Sequence, residues 1–139
     1  MKSNIAMVSA FVLCSGLSGG CASTQQDLLA TGKARIQAES TAEVRYRNVE
    51  VSQEGTAATV FGIVSLDDAS DYQNFASHMD VAIFDGNDIP IFIAYVPYMR
   101  AIPHRHSYQA KFSVSANMMM PDNSVVSLNH HAASVLQHQ

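Results

Sequence analysis

His104 and His106 stand one residue apart, His130 and His131 are adjacent, and three methionines run from Met118 to Met120. On an extended chain the side chains at i and i+2 leave the same face, so the imidazoles of His104 and His106 can converge on one ion. Imidazole suits copper and zinc, and the thioethers of Met118, Met119 and Met120 are soft ligands for Cu(I). With His130 as a third nitrogen donor, this set is a candidate copper or zinc site. The same residues have a plainer reading. A His-x-His pair offers only two ligands, His104 follows Pro103 in an expected loop, and methionines near a turn often fill irregular gaps in a core.

Other chemistry is thinly represented. No serine sits in a nucleophile elbow, no histidine pair has zinc-protease spacing, and no glycine-rich phosphate loop occurs. Asp67, Asp68 and Asp71 form an acidic cluster that lacks the glycine and distal glutamate of an EF-hand loop. The chain therefore reads as a non-enzyme. The residues that invite a partner are apolar instead. From Ile89 to Val96 both faces of an extended chain are apolar, and Pro90 and Pro97 bracket the run. Proline cannot donate to a central ladder, so this strand belongs at a sheet edge, and an apolar edge is an aggregation hazard unless something covers it. Phe92, Tyr95, Tyr98 and Met99 are the candidate contacts for a protein partner or a second copy, with strand addition as one mode. The alternative is that the chain's own tail or the 100–106 loop folds over the strand.

Composition narrows the field further. The 139 residues are 47% hydrophobic and only 14% charged, against roughly 25% charged in an ordinary soluble domain. A net charge of −4 argues against a nucleic-acid binder. Two cysteines exclude a disulfide-dense scaffold and a four-cysteine zinc site.

Period-two alternation dominates from Ala42 onward and predicts strands. Val44 and Tyr46 alternate with charged residues, and Val49 and Val51 continue on the shifted parity, which places a bulge near Asn48. Thr56 to Leu66 is a second strand. Met79, Val81 and Ile83 alternate with His78, Asp80 and Ala82 in a third. Asp85-Gly86-Asn87-Asp88 is a tight-turn signal that pairs this strand with Ile89 to Val96 as a hairpin. Tyr108 to Ala116 alternates cleanly, Pro121-Asp122-Asn123 turns, and Ser124 to His130 is the last strand. Residues 22–41, rich in Ser, Thr, Gln and Ala and broken by Gly32, read as a tether with at most a weak helical turn. Strands joined by turns, with no long helical pattern, predict an all-β fold: a single antiparallel β-sandwich over 42–131, followed by a short tail, 132–139.

Residues 1–20 read as a processing signal. Lys2 supplies a positive charge, and Ile5 to Leu17 is apolar but shorter than the roughly 20 residues that span a bilayer. Leu17-Ser18-Gly19-Gly20-Cys21 resembles the lipobox of bacterial lipoproteins. The resemblance implies cleavage before Cys21 and acylation of its thiol. Ala22 and Ser23 follow, without the aspartate that retains such proteins in the inner membrane, so the resemblance implies the outer membrane, facing the periplasm. Cys14 would leave with the signal, and the mature chain would have no free thiol for catalysis or a blue-copper centre. The strand pattern from Glu43 to His130 resembles the fibronectin-III and immunoglobulin-like sandwiches of envelope proteins, without the core tryptophan and cysteine pair of antibody domains. The expected function is a membrane-anchored, non-catalytic binding or assembly module acting through its apolar edge strand. The second reading is a periplasmic copper- or zinc-binding module.

Overall fold

A computed structural model describes residues 24–40, 44–66, 77–104 and 107–131, with the side chains of 66 and 100–104 outside that description. Cys14, Cys21, the Asp67–Asp71 cluster, His106 and the tail 132–139 lie outside the described residues. All regular structure among the described residues is strand, in two sheets. The strands are β1 (Gln26–Asp27), β2 (Ala34–Ala38), β3 (Val44–Glu54), β4 (Ala57–Leu66), β5 (His78–Phe84), β6 (Pro90–Pro97), β7 (Met99–His104), β8 (Ser107–Ala116) and β9 (Ser124–His131). One sheet has the order β1-β3-β4-β8-β7 and the other β2-β9-β5-β6. The order departs from that of immunoglobulin domains, in which the last two strands pair; here β8 and β9 lie in different sheets.

The alternation read from the sequence is what joins the sheets. Val51, Val60, Val64 and Phe112 from the first sheet meet Met79, Val81, Ile83, Val126 and Leu128 from the second in one buried cluster. Each such side chain contributes roughly 1.5–3 kcal/mol on leaving water. The bulge expected near Asn48 is present as a register shift between Tyr46 and Val49. The expected β5–β6 hairpin also forms. The Asp85 carboxylate accepts from the backbone N–H groups of Asn87 (2.8 Å) and Ile89 (3.0 Å), and Asp88 takes the left-handed φ of 62° that such a turn requires.

The fold differs from the sequence expectation in three places. Within the segment read as a tether, β1 and β2 join the two sheets, with a turn between them. Asp27 turns the chain by accepting from the N–H groups of Leu29 and Ala30, Gly32 adopts φ 71°, and Leu28 is only 2% exposed in the core. The sandwich is also not wholly antiparallel, because β2 runs parallel to β9, Ala34 opposite Ser124 to Ala38 opposite Leu128. Parallel neighbours need a long crossover, and the whole chain between β2 and β9 supplies it. Finally, the segment expected as a loop at 100–106 contains β7, which pairs with β8.

Gly62 in β4 lies directly opposite Phe112 in β8. The fully buried Phe112 ring rests over it, and a Cβ on Gly62 would overlap ring carbons. We expect Gly62→Ala to destabilise the protein by about 1–3 kcal/mol, the usual cost of overpacking. In a Phe112→Leu background the same substitution should cost much less. Denaturant titrations of the four proteins check this: additive losses would show that ring and glycine are not coupled.

Candidate functional site

The pleat of β5 places two chemistries on opposite faces of one strand. Met79, Val81 and Ile83 point into the core, and His78, Asp80, Ala82 and Phe84 point outward. Neighbouring strands bring matching residues to the outer face. His78 lies opposite His131 of β9, and Asp80 lies between Tyr95 of β6 and Asn129 of β9. The Asp80 carboxylate bridges two imidazoles, with Oδ2 2.8 Å from His131 Nε2 and Oδ1 3.1 Å from His78 Nε2. The two imidazole rings stack with centroids 5.2 Å apart and planes within 3° of parallel. The Tyr95 and His78 rings make a T-shaped contact with centroids 5.6 Å apart. These donor atoms of His78, Asp80 and His131 all lie within 4.8 Å of one another.

The inner face at the same end carries a second polar group. His130 points inward, and its Nδ1 is 2.6 Å from the Tyr98 hydroxyl, with the rings stacked at 5.6 Å. The Tyr46 hydroxyl donates to the Leu128 carbonyl at 3.1 Å, tying β3 to β9 across the core. Burial raises the pKa of both phenols. For Tyr98 the negative potential of Tyr46 and Asp80 adds to the effect, whereas a hydrogen bond to the His130 backbone partly opposes it for Tyr46.

The sequence-predicted residues distribute unevenly over this arrangement. Of the proposed metal ligands, His130 is engaged with Tyr98 on the inner face, away from His131, while the side chain of His104 and all of His106 lie outside the described residues. The methionines do not share a face. Met120 is buried and its N–H donates to Gln53 Oε1 (3.1 Å), Met118 packs on the core, and Met119 is 62% exposed. Of the proposed partner contacts, Tyr95 (74% exposed) and Met99 (47%) face outward, but Phe92 and Tyr98 pack against the core. The outward residues of β6 are Ile91, Ile93 and Tyr95, preceded by the exposed Ile89 in the turn. β6 is an edge strand, as its two prolines imply, and among the described residues no strand pairs with its other side.

Sequence reasoning singled out His104-x-His106 and passed over His78-x-Asp80, which has the same spacing. That spacing was the available signal. The partnership with His131 was not, since it depends on the β5–β9 register.

Comparison of the chain with family models, with curated proteins and with solved structures gives no match.

Because burial raises both phenols in the fold, the unfolded phenols ionise first as pH rises past about 10. The unfolded state then binds fewer protons, and stability falls as pH rises. Tyr98→Phe should cost about 1–3 kcal/mol at neutral pH by leaving His130 without this hydroxyl. It should also lose less stability than the parent between pH 8 and 10.5. Urea midpoints at the two pH values decide; equal losses would remove Tyr98 from the alkaline response.

Proposed function

We propose that this chain is an envelope lipoprotein, anchored through Cys21 in the outer membrane and facing the periplasm, whose folded part is a non-catalytic binding module. One observation carries the binding role: β6 is a sheet edge that no other strand pairs with among the described residues, with Ile91, Ile93 and Tyr95 exposed on one face. The occupant is an extended apolar segment of another envelope protein. It adds as a strand between Pro90 and Pro97 and seats alternate side chains against the isoleucines. The lipid holds the edge near its membrane, so that a weak contact is reinforced by effective concentration. The sandwich resembles the immunoglobulin-like envelope modules in role, as a rigid holder for an edge strand, while using its own strand order.

Two measurements test this reading. Mass spectrometry of the membrane-extracted protein should find an N-terminal acylated Cys21, and Cys21→Ser should release the protein from the membrane fraction. An unacylated, uncleaved N-terminus refutes the anchor. A photocrosslinking residue at Ile93 in the lipidated protein should capture a protein partner that the same probe at Lys111 does not. Tyr95→Lys should abolish the capture while altering stability by no more than about 0.5 kcal/mol, as for most surface changes. Crosslinks only to lipid, or none above the Lys111 level, overturn the docking role; crosslinks only to a second copy replace the partner with a homodimer.

A further inference from the structure

The outer face of the β2-β9-β5-β6 sheet carries a second site, which adjoins the docking edge at Tyr95. We propose that His78, Asp80 and His131 bind one divalent transition-metal ion of borderline softness, zinc or copper(II), with the remaining coordination position open to solvent. Two imidazoles and a carboxylate are the donor set of many such centres, and three protein ligands with an open position distinguish an exchangeable or reactive site from a closed structural one.

Two features favour an ion over a plain hydrogen-bonded cluster. The first is the carboxylate. Asp80 Oδ1 is buried and accepts no hydrogen bond, although His78 Nε2 is 3.1 Å away. A buried acceptor left unsatisfied is costly, and a cation between the three side chains removes that cost. The second is the geometry. The two rings stack with parallel planes, and because an imidazole lone pair lies in its ring plane, the His131 ring turns about its side-chain torsions to aim at the same ion as His78. A tetrahedral zinc at its usual bond lengths separates its donors by roughly 3.3 Å. The donor atoms here lie within 4.8 Å of one another, and the His131 side chain is more than half exposed, which leaves it room to close the difference. β5 and β9 fix the backbone beneath all three ligands through paired residues from His78↔His131 to Phe84↔Val125, so the site rests on sheet rather than on a loop. Tyr95, in T-shaped contact with His78, limits the orientations open to that ring.

The test uses the full, untagged chain in detergent, stripped of metal by chelator and titrated with Zn(II) and, separately, Cu(II) against a competing chromophoric chelator. The expected result is one ion per chain, bound more tightly than about 10 μM. His131→Ala should weaken binding at least about tenfold, and so should the nearly isosteric Asp80→Asn, which guards against misfolding of the first variant. Circular dichroism verifies that each variant is folded. The Cu(II) complex should show electron paramagnetic resonance coupling to two imidazole nitrogens, reduced to one in His131→Ala. A His104→Ala/His106→Ala double variant should bind as the parent does. The proposal is overturned by the absence of binding at this strength, by binding that survives both His131→Ala and Asp80→Asn, or by binding that disappears with the His104/His106 pair. None of these results bears on crosslinking at Ile93, so the two readings stand or fall separately.

Discussion

Met79, Val81 and Ile83 are locked into the core by their alternation along β5, and much else follows from that constraint. A strand displaced by one residue would bury His78 and Asp80 and expose all three apolar side chains. The loss would combine roughly 1.5–3 kcal/mol for each exposed residue with the larger cost of an unpaired buried carboxylate. The register of β5 is therefore strongly specified. Because β5 lies between β9 and β6, it sets the alignment of its neighbours' outward residues too. Core and surface chemistry are two faces of a single pleat.

The ends of the sandwich are closed by polar side chains that bond to one another and to the backbone within it. At one end of β3, Tyr46 reaches the Leu128 carbonyl, and His130 beside it is held by Tyr98. At the other end, buried Gln53 donates to the Gly55 and Met118 carbonyls and accepts from the Met120 N–H. Such groups are expensive to bury without partners and specific when partnered. The methionine run thus finishes the core, with its backbone as the hydrogen-bonding element and two of its three side chains as filler.

The sheet edges are treated unequally. In the second sheet, β2 is flanked by the turn that buries Leu28, and its outward residues Arg35 and Gln37 are polar and exposed. β6 has proline at each end and a register irregularity near Ile91, both devices that shorten an edge. Between them it still exposes isoleucine and tyrosine. That combination limits open-ended pairing, and it is the physical basis for the docking role proposed for this edge.

The sequence alone determined the strand character of β3, β4, β5, β6, β8 and β9, the bulge between Tyr46 and Val49, the Asp85 turn and the edge position of the strand between Pro90 and Pro97. These are local properties: alternation, turn chemistry and the missing proline N–H act within a few residues. Tertiary structure decided the rest. Ala34, Ile36 and Ala38 do alternate, but small side chains give a faint signal, and only the buried Leu28 and the parallel pairing with β9 make a strand of them. Which face of β6 meets solvent followed from the packing of Phe92 and Val96 on the core. His131 meets His78 because β9 and β5 are neighbours in one register, and register between distant segments is set by burying all the strands at once.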